Sequence, residues 1–223
     1  MKLYHDPIST TSRAVSLFIR DQGIALDEEI ISLFLEEHQS AGFGRLNPNR
    51  QVPVLADGDF VLTECAAIMK YIAERAGSPA YPRDLHARAR INEAMDWFNT
   101  GFSYAFLFFV IYPRFLAAMQ VFDPATKASL AAFGMERTAR YLTVLDEHML
   151  GRSPYVCGNE VSLADYLGAV YVAMGDLIDF DFAPWPNVAA WLSRMKARDG
   201  WEGAFAGING YARAMQAGSR AAS

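Results

Sequence analysis

The chain has 223 residues, of which 52% are hydrophobic, so it is long enough for one large domain or two small ones, and a disordered chain is excluded. A formal net charge of −5, with no basic face in the sequence, argues against nucleic-acid binding, because that would require phosphates to be neutralised. The two cysteines, Cys65 and Cys157, form no CxxC pair, so we expect neither a disulfide framework nor a dithiol redox site.

No segment has the composition of a signal peptide or of a membrane span. Residues 1–7 become polar before any apolar stretch accumulates, which favours a cytoplasmic protein. The most apolar run, Phe102–Tyr112, is well short of the roughly 18 apolar residues that a spanning helix needs. We therefore expect a buried helix for that run and no membrane partner.

The first elements alternate between strand and helix. Lys2–His5 is predicted to be a strand, and the apolar spacing of residues 14–18 predicts a helix that Gly23 ends. Glu28–Leu33 predicts a second strand, and Ser40–Leu46 a short irregular or helical piece. The order up to this point is βαβ.

A hairpin and a helix follow. Val52–Leu55 and Phe60–Leu62 are apolar runs separated by Ala56–Asp59, which contains an Asp-Gly turn signal. These strands are predicted to pair antiparallel. Glu64–Ala76 then carries its apolar residues on one helical face, so the first half reads βαβαββα.

The second half is predicted to be all-helical. Asp84–Tyr112 is one long helical pattern that Pro113 stops, and Pro124–Leu150 is a second, capped by the residue before it. Ser162–Asp165 has the spacing of a capping box, and Pro186–Arg198 predicts a later helix.

The turn-rich stretch between the halves predicts a linker over residues 78–85, with domains over 1–77 and 86–223. The tail after Gly207 carries no clear pattern.

Four consecutive hydroxyls, Ser9–Ser12, precede Arg13 where the first strand meets the first helix. Free backbone N–H groups and the positive end of the helix dipole collect at such a joint, which suits an anion. The alternative interpretation is that one hydroxyl only caps the helix.

Two further segments can likewise be interpreted either as purely structural or as part of a site. Val52-Pro53 opens a strand in which proline cannot donate to a ladder, so it indicates either a cis bond in a special turn or an edge strand. Thr63–Ile68 puts a carboxylate and small groups at the start of the next helix, either as a cap or as part of a site. The occurrence of all three segments in this order favours a functional site over three separate structural features.

Taken together, these pieces resemble the glutathione S-transferase superfamily nearly end to end, with the theta, delta and related bacterial classes most similar. Those classes carry a Ser-x-Pro-Cys-Arg motif after the first strand, and residues 9–13 keep its Ser and Arg while replacing its Pro and Cys. The resemblance implies an α/β thioredoxin-like N-terminal domain (βαβαββα) and an all-α C-terminal helical domain. It also implies glutathione as co-substrate, a homodimer, and the detoxification of small electrophiles.

The resemblance also implies roles for individual residues. Ser9 is the implied catalytic hydroxyl, which donates a hydrogen bond to the sulfur of glutathione. His38, with Arg50 or Gln51, is implied to reach the glycine carboxylate. Glu64 is implied to hold the γ-glutamyl amino group, and Cys65 replaces the usual serine, so we expect looser binding. The implied glutathione-binding residues are His38, Arg50, Gln51, Val52, Pro53, Glu64 and Cys65.

A pocket for the electrophile is the least specific expectation, because aromatic residues at helical spacing mostly belong to the core. The candidates are Ile8, Phe102, Phe106 and Tyr112. The four histidines show no ligand spacing, so we expect no metal.

Two other functions stay open. A glutathione-dependent isomerase of the maleylacetoacetate type has a Ser-Ser-Cys-Ser motif that Ser9–Ser12 partly resembles, although Thr11 replaces its cysteine. A non-catalytic binding protein on the same fold is the second alternative, because fold does not fix function.

Overall fold

The computed structural model describes residues 1–221, with side chains for 1–116 and 118–213. The chain forms two compact units, one of Met1–Tyr81 with the segment from Lys196 onward, and one of Pro82–Met195. The segment from Lys196 therefore groups with the first unit, whereas the sequence assigned it to the helical half. The domain boundaries at 77 and 86 stay a prediction.

The first unit is built on a four-stranded mixed sheet in the order β2-β1-β3-β4. β1 is parallel to β2 and antiparallel to β3, and β3 is antiparallel to β4. The predicted antiparallel hairpin and the α/β class of this half are thus confirmed. The strands are β1 Lys2–His5, β2 Asp27–Ile30, β3 Val54–Asp57 and β4 Phe60–Thr63.

Nine α-helices lie within residues 1–221. They are α1 Thr10–Asp21, α2 Ala41–Leu46, α3 Cys65–Ala76, α4 Leu85–Asp96, α5 Tyr112–Phe115, α6 Pro124–Val144, α7 Leu163–Val172, α8 Pro186–Lys196 and α9 Trp201–Ala221. None of the described helices is both long and apolar enough to cross a membrane.

Two predicted strands are shifted. β2 ends at Ile30 and not at Leu33, because the N–H groups of Ser32 and Leu33 donate to the side chains of Glu37 and Asp6, both at 2.7 Å. β3 starts at Val54 and not at Val52, because Pro53 has no N–H to donate to a ladder.

The long helix after the linker passes the proline that was predicted to stop it. Beyond α4 the chain continues in wider π-helical turns over Trp97–Phe102 and Tyr104–Ile111, and the N–H of Tyr112 bonds the carbonyl of Leu107, five residues back. Pro113 then lies in the first turn of α5. The predicted stop was therefore wrong, and the helical path ends at Phe115.

The last helix, α9, begins at Trp201 and includes the tail after Gly207 that has no clear sequence pattern, and it groups with the first unit. The Phe205 ring on α9 lies 4.8 Å from the guanidinium carbon of Arg13 on α1. A Cβ at Gly207 would lie 2.6 Å from the Cβ of Pro7. Glycine lowers helix propensity, but at this position only glycine permits the close approach.

A buried histidine in β1 makes stability depend on pH. His5 Nε2 lies 3.0 Å from Glu28 Oε2, and burial lowers the pKa of His5 although the Glu28 carboxylate opposes this. The unfolded chain, with an ordinary histidine pKa of about 6.5, then binds the proton more tightly. We expect the free energy of unfolding to fall as pH drops below about 6.5 and to level off below the folded-state pKa.

Urea unfolding at about pH 7.5 and about pH 5.5 checks this expectation. His5→Gln should lose less stability between the two pH values than the wild type does. His86→Gln, at an exposed position, is the matched control and should behave as the wild type. Equal losses in wild type and His5→Gln would contradict the assignment.

Candidate functional site

The sheet topology brings the predicted site segments to one edge. β1 and β2 are parallel, so their carboxyl ends meet, and Ser9 and His38 follow those ends. Tyr4 pairs with Val54, and Val54 pairs with Thr63. The antiparallel register therefore puts the start of β3 and the end of β4, with Pro53 and Glu64, at the same edge.

Ser9 is the residue before the first turn of α1. Its Oγ accepts a hydrogen bond from the N–H of Ser12 at 3.3 Å, so the expected capping role is present. Capping uses a lone pair on the oxygen and leaves the hydroxyl proton available for a second partner. Capping and donation to an anion at the helix N-terminus are thus compatible.

Thr11 connects this helix start to the loop before β3. Its hydroxyl lies 3.2 Å from Ser9 Oγ and donates to the carbonyl of Val52, also at 3.2 Å. The Val52-Pro53 peptide bond is cis. Of the two interpretations of the sequence, the cis bond in a special turn is therefore the one that holds. Ser9, Val52 and Pro53 are therefore brought together.

The loop that carries the cis bond is fixed by a buried amide. Asn47 donates from Nδ2 to the carbonyl of Gln51 at 2.8 Å and accepts the N–H of Asn49 at 3.0 Å. Arg50 donates to the backbone carbonyls of Gln39 and Ser40. Its guanidinium is thus engaged within the protein, whereas the side chain of Gln51 is exposed.

His38 lies in a short 3-10 turn, Glu37–Gln39, after β2. The carboxylate of Glu37 accepts the N–H of Ser32 at 2.7 Å and holds this turn against the end of the strand. His38 Nδ1 is buried and has no hydrogen-bond partner within the described residues. A buried polar atom without a partner is unusual in a native fold.

Glu64 precedes α3 with φ 69° and ψ 117°, and its side chain is exposed. Cys65, the first residue of α3, is buried. The described chain has four non-glycine residues with positive φ, and three of them are Glu36, Arg50 and Glu64. Such backbone strain gathers at functional sites, and all three adjoin the predicted segments.

The predicted electrophile residues do not form one set. Phe102 and Phe106 are 0% exposed, packed among aromatic rings of the second unit. They lie in the core, as aromatic residues at helical spacing mostly do, and their assignment to a pocket stays a prediction. Ile8 and Tyr112 are half-buried, and their role stays a prediction.

Asp6, to which the sequence pattern assigned no role, organises the site. Its carboxylate accepts the N–H of Ile8 at 2.8 Å and that of Leu33 at 2.7 Å. Asp6 thereby ties the loop before Ser9 to the segment before His38. An aspartate directly before a proline and a helix was the signal available in the sequence.

The Cys157 thiol is not a good candidate for a nucleophile. Burial raises the pKa of the Cys157 thiol to about 11, so it is protonated at neutral pH and a poor nucleophile. Among the residues that the structure describes, no three or more His, Cys, Asp or Glu side chains are grouped so as to hold a metal ion.

Family models match most of the chain. Residues 1–74 match the model described as the glutathione S-transferase N-terminal domain, and residues 99–199 match that of the glutathione S-transferase C-terminal domain. The predicted resemblance is thereby confirmed.

Individual relatives agree with the family models. The chain is 32% identical to human glutathione S-transferase theta-1 over 210 residues, covering 90% of this chain and 84% of the relative. It is 29% identical to Drosophila melanogaster glutathione S-transferase D7 over 206 residues, covering 91% of this chain and 87% of the relative.

Solved structures share the fold. Human glutathione transferase theta-2, in complex with glutathione and an unknown ligand, superposes with a TM-score of 0.84 at 28% identity and covers 95% of this chain and 88% of its own. A delta-class glutathione transferase of Nilaparvata lugens gives a TM-score of 0.84 at 27% identity, covering 97% and 98%. An α/β thioredoxin-like unit with a helical partner is thus the shared architecture.

Proposed function

Because the chain belongs to the glutathione S-transferase family, we propose that it conjugates glutathione to small, hydrophobic electrophiles and that Ser9 activates the thiol. The observation that carries this proposal is the Ser9 hydroxyl, which lies at the N-terminus of α1 and is linked through Thr11 to the cis Val52-Pro53 loop. The transferase names of the relatives support the reaction class.

The site chemistry suits a bound thiolate. Glutathione's thiol has an ordinary pKa of about 8.5, so little of it is ionised at neutral pH, although the thiolate is the nucleophile. A hydrogen bond to a charged group contributes about 1.5–3 kcal/mol, and one pKa unit corresponds to about 1.4 kcal/mol. The Ser9 hydroxyl together with the helix N-terminus can therefore lower the thiol pKa by about two units. Ser9 acts as a donor and is neither a base nor a covalent nucleophile.

The polar groups at the sheet edge suit the rest of glutathione. His38, with its unpartnered Nδ1, and the exposed Gln51 are assigned to the glycine carboxylate. Glu64 is assigned to the γ-glutamyl amino group, and the backbone of Cys65 at the start of α3 to the γ-glutamyl carboxylate, which a helix N-terminus favours.

Val52 and Pro53 bind the centre of the peptide in this assignment. Arg50 supports the site indirectly, because its guanidinium already holds the turn that carries His38.

We further propose that the protein acts in the cytoplasm as a homodimer, in detoxification. Cys65 and Cys157, both in the described part of the chain, are not disulfide-bonded, which fits a reducing compartment. A closed two-fold pair is the commonest assembly of oligomeric proteins. The isomerase and the non-catalytic protein are not favoured, because the relatives carry transferase names.

A conjugation assay tests the function. The protein, glutathione and a chromogenic electrophile such as chlorodinitrobenzene should give conjugate and consume glutathione in equal amounts. Glu64→Ala should weaken glutathione binding by about 10-fold or more, since a charged hydrogen bond is lost, and calorimetry measures this. Glu74→Ala, at an exposed position within α3, is the matched control.

Isomerisation without net consumption of glutathione would favour the isomerase. Failure to bind glutathione at all would contradict the proposal and favour the binding protein.

A further inference from the structure

Four hydroxyls lie at the start of α1, and that of Thr11 faces Ser9. The Ser12 hydroxyl accepts the N–H of Asp6 at 3.4 Å. The Thr10 hydroxyl accepts from the Arg13 guanidinium at 3.5 Å. Thr11 Oγ1, in contrast, lies 3.2 Å from Ser9 Oγ, so Thr11 is the hydroxyl that can act on Ser9.

The direction of each hydrogen bond follows from the number of protons. A carbonyl can only accept, so the single proton of Thr11 points to the Val52 oxygen. Thr11 then faces Ser9 with a lone pair, so Ser9 is the donor in the hydrogen bond between the two hydroxyls. In this arrangement Ser9 cannot donate to a sulfur, because its one proton is already used.

Donation to a thiolate takes the Ser9 proton away from Thr11, and the direction of this chain of hydrogen bonds can then reverse. When the Ser9 proton turns to the sulfur, its bond to Thr11 is lost, and Ser9 Oγ retains the N–H of Ser12 at 3.3 Å. The Thr11 hydroxyl can then rotate from Val52 to Ser9 Oγ, since both acceptors lie 3.2 Å away. The Val52 carbonyl becomes available to a peptide N–H of the ligand by the same rotation.

We propose that Thr11 is a positioning residue for the conjugation reaction, which donates a hydrogen bond to Ser9 when Ser9 donates to the glutathione thiolate. This inference rests on the proposed function. A hydroxyl that accepts a hydrogen bond becomes a better donor, because the bonds in a chain polarise one another. Thr11 therefore acts on the thiol through Ser9. The proline that stands at this position in the resembled motif has no hydroxyl, so the arrangement is a property of this chain.

We expect the Thr11 hydroxyl to change the pKa of the bound thiol less than the Ser9 hydroxyl does. Cooperativity strengthens a hydrogen bond by roughly 10–30%, and orientation of the Ser9 proton adds to this. We expect Thr11→Val, which keeps the shape and removes the hydroxyl, to raise the pKa of the bound glutathione thiol by about half a unit. Turnover at a pH below the thiol pKa should fall about threefold, in proportion to the lost thiolate.

The test is an ultraviolet titration of the thiolate at saturating glutathione, with the dissociation constant measured separately. The variants are Thr11→Val, Thr11→Ser, Ser9→Ala and the Ser9→Ala/Thr11→Val pair. Thr11→Ser should restore the wild-type pKa. When Ser9 is already alanine, Thr11→Val should cause no further change in the pKa of the bound thiol, since its effect passes through Ser9. A purely structural role for the bond to Val52 would weaken binding and leave the pKa at saturation unchanged.

The outcomes separate this inference from the proposed function. If Ser9→Ala loses the shift and Thr11→Val does not, the Thr11 proposal is overturned and the Ser9 mechanism stands. If Thr11→Val raises the pKa equally in both backgrounds, Thr11 acts independently of Ser9 and the proposal is also overturned. If the wild-type thiol is unshifted, the proposed function fails first.

Discussion

Ser9→Ala is expected to lose most of the conjugation rate while it still binds glutathione. The lost bond joins a hydroxyl and a thiolate and is worth about 1.5–3 kcal/mol, so kcat should fall between about 10-fold and 150-fold. The carboxylates and the amino group of glutathione keep their partners, so the dissociation constant should change far less. Stopped assays at saturating glutathione, together with calorimetry, separate the two quantities.

The control for Ser9→Ala must be a variant that also loses a helix N-cap. Ser9→Ala also removes the acceptor for the Ser12 N–H, and loss of a cap costs about 1 kcal/mol of stability. Asp123→Ala removes the cap of α6, whose carboxylate accepts the N–H of Thr126 at 2.9 Å. Both variants should be destabilised, and only Ser9→Ala should lose turnover. Retention of more than half of the turnover by Ser9→Ala would contradict its catalytic role.

Asp165→Ala is expected to have the largest effect on stability. The fully buried carboxylate accepts bonds from the N–H of Val156 and from the N–H and hydroxyl of Ser162, each at 2.8 Å. It also accepts the indole N–H of Trp191 at 2.9 Å. Burial raises the pKa of Asp165, and these bonds oppose that shift. Removal leaves several buried donors without an acceptor, so we expect a loss of at least about 3 kcal/mol.

Urea unfolding measures this loss of stability, and Ser162→Ala serves as a milder variant for comparison. It removes one hydroxyl from the same capping box and should cost about 1 kcal/mol. Because total stability is about 5–15 kcal/mol, Asp165→Ala should also lower the yield of folded protein. A loss below about 1 kcal/mol for Asp165→Ala would refute the role of this carboxylate in folding the second unit.

The elements that local pattern determines were predictable from the sequence. Alternation and turn chemistry marked the hairpin around Gly58, and hydroxyl or carboxylate caps marked the starts of α1, α6 and α7. The site segments were predictable because each lies at the end of such an element. Their meeting at one sheet edge follows from the strand order.

The features that depend on contacts distant in sequence were not predictable. β2 stops early because Asp6 takes the N–H of Leu33, and α9 has a glycine at position 207 because the helix approaches Pro7 there. Thr11 looked like one of four equivalent hydroxyls until its distance to Val52, 41 residues away in the chain, was known. The sequence also did not indicate that Arg50 donates to the carbonyls of Gln39 and Ser40, and its contact with glutathione stays a prediction.

The most direct measurement is the ultraviolet titration of glutathione bound to the wild type and to Ser9→Ala. We expect a bound-thiol pKa about two units below the free value of about 8.5 in the wild type, and a return towards the free value in the variant. Binding with an unshifted thiol in both proteins, or an equal shift in both, would contradict the claim that Ser9 activates glutathione.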